Sequence, residues 1–456
     1  MRPLEILIPV LLTIYLLWKH PRPLAVRFLP SAALLASLIH FGVEGYRWQM
    51  VPIYILTSLL GISALIRIKT SADWKPLGST LTFVLLAVST AVPILLPVPA
   101  IPPPSGPYTV GTTNYELTDT SRQELYSGRD EARRFQIQVW YPAEPRPSDE
   151  QAGWMNNPEV FSRSIAQELN LPAFFLDHLA LVKIPAYKNS PIASGATYPV
   201  ILFSHGWTGF AAQNTGQALQ LASHGYVVVA VQHTYGAVVT VFEDGTVAPY
   251  NPAALPRGAP DAEYDIAADT LVDQWSGDLR FTLDFMTKQN ADLNGPFFAA
   301  LDLSRVGAYG HSTGGGAVIQ FCGTDERCKA VLGQDPFMRP VSTEVLENGI
   351  TQPAFFMFSQ RWHDDVDSLN NRQFKPFLEN SPEARGAVYI EGTAHYDFSD
   401  LPLLSPLAPQ LGLKGPIQGE RVTMIVNDFL LAFFDATLKQ RSTQLPDQFP
   451  EIRPLD

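Results

Sequence analysis

Long apolar runs open the chain, and shorter alternating runs follow them. Hydrophobic stretches within the first hundred residues are Leu4 to Trp18, Leu24 to Val43, Met50 to Ile68 and Leu77 to Ile101. The last three are about long enough to cross the apolar core of a bilayer, whereas the first is marginal. The first stretch lacks a small-residue cleavage site, and further apolar stretches follow it, which argues against a signal peptide. The pattern therefore predicts an uncleaved module of four transmembrane helices over residues 1–101.

A proline-rich segment follows this module. Residues 97–107 read PVPAIPPPSGP, a sequence that disfavours helix and sheet because proline has no backbone N–H to donate. Residues 102–107 are expected to form a stiff, extended linker. The linker marks the start of a second domain, residues 108–456.

Strands and helices alternate along this second domain. Residues 134–141 alternate apolar with polar side chains, as in a half-exposed strand, and residues 198–203 and 226–232 are β-rich apolar runs. Later elements are a helix over 266–288, strands over 305–309, 329–334, 354–359 and 387–390, and an amphipathic helix over 421–439. Such alternation is typical of parallel strands joined by crossover helices. It predicts an α/β fold of the α/β-hydrolase type, a mostly parallel sheet flanked by helices.

The segment 143–198 interrupts the alternation. It is rich in proline and carries apolar clusters at 174–176 and 179–182. Extra core packing explains such clusters, and so does a flap that borders an apolar pocket. The sequence leaves both interpretations open.

Charge is distributed unevenly between the two domains. Residues 1–100 carry eight Lys or Arg and three Asp or Glu, whereas the whole chain has a formal charge of −12. The acidic second domain has no run of basic residues, which argues against a nucleic-acid partner. Basic residues gather in the first and third connections between the apolar stretches, and such loops stay on the cytoplasmic side. We therefore expect a multi-pass membrane protein whose second domain is extracytoplasmic.

The two cysteines, Cys322 and Cys328, are six residues apart. In a reducing compartment they would be small buried thiols, whereas an oxidising compartment favours a disulfide between them. The expected extracytoplasmic location favours the disulfide. The thiols have no histidine pair nearby and therefore lack zinc-ligand spacing, so the sequence predicts neither a metal site nor a cofactor.

The candidate chemistry centres on Gly310-His311-Ser312-Thr313-Gly314. A short apolar strand precedes this sequence and a glycine-rich helical stretch follows it, which is the context of a nucleophile elbow. Glycines two residues before and two residues after Ser312 permit a tight turn because they have no Cβ. Ser312 is therefore the predicted nucleophile.

A serine nucleophile needs a base and an acid that orients the base. His395 fits the order Ser, acid, His of this fold, in a loop after a late strand. The acid has two candidate positions. One is Asp335, after the nucleophile helix and the next strand, and the other is Asp364 or Asp365, after the strand that follows.

Oxyanion stabilisation needs two backbone donors, and the fold assigns these to the residue after the nucleophile and to an early loop. The corresponding N–H groups are those of Thr313 and Trp207. Phe210 and Phe337 are candidate walls of the substrate pocket, with core packing as an equal alternative.

Several phrases of the second domain resemble, in order, the platelet-activating factor acetylhydrolase family, the group VII phospholipases A2. They are GPYTVGTT, QVWYPA, NSPIASGATYPVILFSHGWTGF, VVVAVQH, GAYGHSTGGG, KAVLGQDPF and EGTAHYDFSD. The resemblance covers about residues 105–440 and leaves the N-terminal module outside. It implies calcium-independent hydrolysis of short or oxidised acyl esters of phospholipids, and it implies Asp335 as the acid because QDPF matches the acid position of the family.

The predicted function is a membrane-anchored serine carboxylic-ester hydrolase that forms an acyl-enzyme on a lipid-like or polyester substrate with short or medium acyl chains. General esterase activity, as in bacterial relatives, and acyl transfer by the same triad stay open. A receptor or transport module with a degenerate hydrolase domain is a further alternative. The apolar stretches carry few of the charges that mark a transport path, which argues against it.

Overall fold

The computed structural model describes residues 1–19, 21–67 and 76–455 of the chain. The chain divides into two units. The first comprises Met1–Pro99, Phe175–Val182 and Leu404–Leu407. The second comprises Ala100–Phe174, Lys183–Leu403 and Ala408–Asp456.

The first unit is helical. Its helices are α1 (Pro3–Leu17), the short α2 (Leu24–Arg27), α3 (Leu29–Val43), α4 (Val51–Arg67) and α5 (Pro76–Leu95). Helix α3 packs against α1 and α4, and α5 contacts the same two helices. Side chains such as Ile8, Ala33 and Ile53 form the apolar core of this unit.

The lengths of these helices do not support the four predicted membrane crossings. Among the residues that the structure describes, one helix, Trp48–Ile66, is long and apolar enough to span a membrane. The shorter apolar helices of the same residues are Pro3–Leu17, Leu29–Val43 and Thr80–Leu95. Proline explains part of the difference, because Pro30 cannot donate to the preceding turn and the predicted stretch 24–43 divides at Phe28. Lys69 and Lys75, basic residues of the third predicted connection, lie outside the described residues.

A mixed sheet forms the centre of the second unit. Its strands are β1 (Thr109–Gln123), β2 (Ala132–Ala143), β3 (Gln151–Gly153), β4 (Lys183–Lys188), β5 (Tyr198–Ser204), β6 (Val227–Gln232), β9 (Leu301–His311), β10 (Cys328–Gln334), β11 (Ala354–Ser359), β12 (Ala384–Ile390) and β13 (Ile452–Pro454), while β7 (Val239–Val241) and β8 (Val247–Pro249) form a separate hairpin. The order is β13-β12-β11-β10-β9-β5-β6-β2-β1-β4-β3. From β12 to β6 neighbouring strands are parallel, whereas β2 runs antiparallel to β6 and β1.

Helices cover both faces of this sheet. They are α6 (Pro158–Glu168), α7 (Thr215–Ser223), α8 (Asp261–Ala291), α9 (Thr313–Thr324), α10 (Thr343–Asn348), α11 (Gln360–His363), α12 (Leu369–Glu379) and α13 (Gly419–Thr437). Successive residues of a strand point to opposite faces. Gly307 of β9 faces Phe434 of α13, and Ala308 belongs to the core that contains Trp275 of α8. The structure thus confirms the predicted α/β class, a mostly parallel sheet between helical layers.

The segment 143–198 is divided between the two units. It supplies β3, α6 and β4 to the second unit. Its residues 175–182 belong to the first unit, where the Trp48 and Phe175 rings lie 5.4 Å apart. In the same unit, Gln49 Nε2 lies 2.7 Å from His178 Nδ1.

The cysteines are joined across a short loop. A disulfide links Cys322, near the end of α9, to Cys328, the first residue of β10, with Cα atoms 5.1 Å apart. Both residues are buried, and the link fixes the end of α9 to the start of the adjacent strand.

Candidate active site

Ser312 occupies the turn between β9 and α9. Its backbone has φ 57° and ψ −121°, a region that residues with a Cβ rarely adopt. The Ser312 N–H donates to Gln334 O over 3.0 Å, and Ser312 O accepts from the Phe337 N–H over 2.9 Å. A Cβ on Gly314 would overlap the backbone of Ser204 and His205, so this turn requires glycine there. The surroundings thus hold a strained, half-exposed serine at the carboxyl end of β9.

A buried carboxylate fixes His395. The Nδ1 of His395 lies 2.9 Å from Asp335 Oδ2. Asp335 also accepts from the N–H and the Oγ–H of Ser359, over 2.7 Å and 2.6 Å. The side chain of Asp335 is fully buried and that of His395 is 25% exposed. The carboxylate therefore keeps the proton of the imidazole on Nδ1 and leaves Nε2 as an acceptor.

Two rings enclose the imidazole of His395. Trp362 stacks on it with ring centroids 4.5 Å apart and an interplanar angle of 16°. On another side, the ring of His311 lies 4.5 Å away, and His311 Nε2 is 2.9 Å from His395 O. Burial, together with His395 nearby, lowers the pKa of His311 well below its ordinary value. His311 is thus a neutral donor to the His395 backbone.

The predicted nucleophile and the histidine lie near each other at one edge of the sheet. Residues 311 and 312 follow each other, and the ring of His311 contacts that of His395. Among the hydrogen bonds within residues 76–455, none joins Ser312 Oγ to His395 Nε2. Such bonds are commonly long in unliganded enzymes and shorten in the substrate complex.

The predicted oxyanion donors belong to loops on either side of Ser312. A Cβ on Gly206 would lie 3.2 Å from Ser312 Cβ, so the loop that carries Trp207 passes directly beside the serine. Thr313 is the first residue of α9. In the part of the chain that the structure describes, neither the Trp207 N–H nor the Thr313 N–H donates to a protein acceptor. Both groups are therefore free to bind an oxygen atom of a substrate.

A pocket of about 400 Å³ opens beside His395. Its lining combines aromatic and polar side chains: Phe337, Arg361, Trp362, Asp365, Ser368, Asn370 and His395. Phe337 is thus a pocket wall. Phe210 does not line this pocket, and its ring packs on Trp154 and Phe161 with centroid distances of 5.7 and 5.8 Å. It borders a separate cavity of about 20 Å³.

The alternative acids occupy a different environment from that of Asp335. Asp364 is exposed, and its Oδ1 lies 3.2 Å from Nδ1 of the neighbouring His363. Asp365 is exposed at the rim of the pocket. Only Asp335, of these three candidates, contacts His395 through a hydrogen bond within the described residues.

Sequence reasoning missed two residues of this site, Ser359 and Trp362. Ser359 ends β11, the parallel neighbour of β10, and the ends of parallel strands meet at one sheet edge. That register was the available signal for Ser359. Trp362 follows in α11, and no pattern in the sequence indicates that its ring stacks on His395.

One cluster in the first unit has the composition of a metal site. Ligand atoms of Glu5, His40 and Glu44 lie within 4.8 Å of one another. However, Arg2 Nη2 and Arg47 Nε approach Glu5 Oε1 to 2.8 and 2.7 Å. Their charges compensate the Glu5 carboxylate, and Arg2 Nε also lies 3.8 Å from Glu44 Oε2, so the cluster contains an ion-pair network.

Comparison with known proteins bears on this site. A family model described as "Platelet-activating factor acetylhydrolase, isoform II" matches residues 97–253 and 287–451. The platelet-activating factor acetylhydrolase of Cavia porcellus is 29% identical over 357 residues, which cover 74% of this chain and 78% of that protein. The enzyme of the same name from Bos taurus is 27% identical and covers 74% of this chain and 77% of its own length.

A solved structure shares the fold. The ferulic acid esterase from Streptomyces cinnamoneus superimposes with a TM-score of 0.63, at 22% identity, over 79% of this chain and 100% of that one. At this identity the likeness shows the common fold.

Proposed function

Because the chain belongs to the platelet-activating factor acetylhydrolase family and is an ester hydrolase, we propose that it works through a serine acyl-enzyme. Its proposed substrate is a lipid-like ester with a short or medium acyl chain. Ser312 is the nucleophile, His395 the base and Asp335 the acid of this mechanism. The observation that carries the proposal is the Asp335–His395 contact of 2.9 Å beside the strained turn of Ser312.

In the first half of the reaction, Ser312 Oγ attacks the carbonyl carbon of the ester while its proton passes to His395 Nε2. Asp335 stabilises the imidazolium that forms, and Ser359 holds the carboxylate in place through two hydrogen bonds. The Trp207 and Thr313 N–H groups bind the oxyanion of the tetrahedral intermediate. Collapse of this intermediate expels the alcohol, which takes the proton from His395.

In the second half, water attacks the acyl-enzyme and gives its proton to His395. The resulting intermediate collapses to release the carboxylic acid and to restore Ser312. An acyltransferase with the same residues would use an alcohol in place of water. An acceptor alcohol added to the assay distinguishes the two outcomes.

The pocket supports a preference for small acyl groups. Its volume of about 400 Å³ is at the lower end for ligand sites, and Phe337 and Trp362 supply apolar walls. We expect kcat/KM for p-nitrophenyl esters to be highest for acetate or butyrate and to fall at least tenfold for palmitate. Steady-state kinetics along this series, beside phosphatidylcholines with short and long sn-2 chains, measure the preference.

Three results from the same substrate panel would contradict the proposed substrate or reaction. A maximum at palmitate would refute the short-acyl substrate, and turnover of butyrate without turnover of any phospholipid would indicate a general esterase. If added glycerol is present and more glycerol ester than free acid forms, the protein is a transferase.

We propose that residues 1–101 anchor the enzyme in a membrane, with the Pro-rich residues 102–107 as a linker to the catalytic domain 108–456. Large apolar side chains of three helices support an apolar environment: Leu38, Leu59 and Val88 are 63%, 62% and 57% exposed. Helices shorter than the bilayer core cross it where the bilayer thins locally or where flanking residues snorkel to the interface. The Cys322–Cys328 disulfide supports an extracytoplasmic catalytic domain.

Reporter fusions test this topology. Alkaline phosphatase is active only outside the cytoplasm, so a fusion after Ile101 is expected to be active. A fusion within the basic segment 68–75 is the control and is expected to be inactive. An inactive fusion after Ile101 would assign the catalytic domain to the cytoplasm.

A further inference from the structure

A buried Ser–His–Asp hydrogen-bond network, which we call the polar relay, lies within the second unit. Ser204 Oγ is 2.9 Å from His233 Nε2, and His233 Nδ1 is 2.9 Å from Asp278 Oδ2. All three side chains have 0% exposure. No substrate reaches these buried side chains, so the polar relay is not a second catalytic centre. It contacts the oxyanion loop, which we define as residues 205–209.

The negative charge of Asp278 determines which atoms of the polar relay carry protons. Arg133 donates to Asp278 over 2.7 and 3.1 Å, and Arg122 donates over 2.8 Å. Although burial alone would raise it, these guanidinium groups hold the pKa of Asp278 well below its usual range. An ionised carboxylate only accepts hydrogen bonds, so the Nδ1 of His233 carries the proton. Burial lowers the pKa of His233 to about 4, so its imidazole is neutral and its Nε2 accepts from the Ser204 hydroxyl.

The backbone of His233 then decides the tautomer of His205. The His233 N–H points at His205 Nε2 over 3.2 Å, and a backbone N–H can only donate. Burial lowers the pKa of His205 well below its ordinary value, so its imidazole is neutral. The single ring proton of His205 therefore lies on Nδ1. This nitrogen is 2.7 Å from Gly206 O and donates to it.

The acceptor of that proton belongs to the peptide that ends in the proposed oxyanion donor. Gly206 C=O and Trp207 N–H are the two ends of one planar trans peptide and point in opposite directions. Gly206 O accepts from His205 Nδ1 and, over 2.9 Å, from the Gly209 N–H. Fixing this carbonyl thus fixes the direction of the Trp207 N–H. Two donors on the oxygen also polarise the peptide and strengthen its N–H as a donor.

Ring packing and backbone hydrogen bonds keep the polar relay rigid. The His233 ring stacks on Trp275 with centroids 4.2 Å apart and an interplanar angle of 3°. The Trp275 ring also contacts the edge of His205, with centroids 5.1 Å apart. Beyond the peptide, the Thr208 N–H donates to Gly236 O over 2.9 Å, which ties the loop to the turn after His233.

We propose that His205 is a positioning residue that aims and polarises the Gly206–Trp207 peptide toward the oxyanion. His233 and Asp278 hold it in the Nδ1–H tautomer. This inference rests on the proposed function, because the direction of the Trp207 N–H affects turnover only if the reaction passes through an oxyanion at Ser312.

Two variants of His205 separate its donor from its acceptor. Asparagine reproduces the Nδ1 donor with its amide NH₂, and glutamine reproduces the Nε2 position, where its oxygen accepts from the His233 N–H. We expect His205→Gln to lower kcat about 100-fold with KM unchanged, which is the scale of a lost oxyanion donor. His205→Asn is expected to keep kcat within about tenfold of the wild type.

Controls separate positioning from general stability. His224→Gln is the matched control, since His224 is half-buried at the end of α7 and bonds to Ser105 Oγ over 3.0 Å, away from the loop. It is expected to leave kcat and KM unchanged. Binding of a trifluoromethyl ketone, which mimics the tetrahedral intermediate, should weaken in His205→Gln as much as kcat falls. Equal losses in both His205 variants, or a change confined to KM, would overturn the proposal.

The tautomer itself is measurable in the unmodified protein. Histidine nitrogen shifts of ¹⁵N-labelled full-length protein are expected to assign the proton of His205 to Nδ1, and assignment to Nε2 would overturn the proposal even if the variants do not fold. Failure of the proposed function gives a different result, since Ser312→Ala would then keep its activity whatever the tautomer of His205.

Discussion

Replacing Ser312 by alanine is expected to lower turnover of a short-chain ester by about a millionfold, the scale of a lost serine nucleophile in a comparable triad. The turn that holds Ser312 is fixed by backbone bonds to Gln334 and Phe337, so alanine at this position leaves the fold intact. A small residual rate above that of water is expected, because the Trp207 and Thr313 N–H groups stay in place. Single-turnover and steady-state kinetics with p-nitrophenyl butyrate measure both quantities.

Labelling by a fluorophosphonate probe gives an independent readout of the same variant. The probe should label the wild type and fail to label Ser312→Ala. The matched control is Ser304→Ala, which removes an exposed hydroxyl from the same strand β9 and should change neither rate nor labelling. Activity that survives in Ser312→Ala would refute the acyl-enzyme mechanism.

Replacing Asp335 by asparagine is expected to lower kcat by about 10⁴-fold. The Ser359 N–H and Oγ–H both donate to the Asp335 carboxylate. The oxygen of an asparagine side chain would accept from Ser359, and its NH₂ would then face His395. An amide NH₂ opposite His395 Nδ1 favours the wrong tautomer and removes the charge that stabilises the imidazolium. The loss should appear in kcat and in kcat/KM alike, since the interaction acts in the transition state.

Asp364→Asn is the matched control for this prediction. Asp364 is exposed, bonds to His363 and lies one position from the rim of the pocket. Its replacement is expected to leave kcat within about twofold, because a solvated surface carboxylate contributes little. A large loss in Asp364→Asn together with a small loss in Asp335→Asn would reverse the assignment of the acid.

The choice between these acids illustrates what sequence could not decide. Asp335 follows β10 and Asp364 follows β11, and both strands end at the edge of the sheet where Ser312 lies. Periodicity predicts the strands but not the direction in which a side chain beyond the strand end points. The resemblance implied Asp335, and the contact of 2.9 Å with His395 supports it as the proposed acid.

The contacts of the aromatic residues and of the polar relay could not be predicted from the sequence for the same reason. Phe210 and Phe337 each follow a strand end, yet one packs on Trp154 and the other lines the pocket. His233 and Asp278 are 45 positions apart in the chain, and only the packing of α8 against the sheet joins them. Sequence separation carries no information on such contacts, because they depend on the path of the chain through three dimensions.

By itself, the sequence determined the class of the catalytic fold, the tight turn at Ser312 and the apolar character of the first hundred residues. These follow from local physics: the period of apolar residues, the absence of a Cβ on Gly310 and Gly314, and the missing donor of proline. Tertiary structure alone decided the lengths of the N-terminal helices, the stacking of Trp362 on His395, and the neutral tautomer of His205. Those properties depend on burial and on contacts with residues that are distant in the sequence.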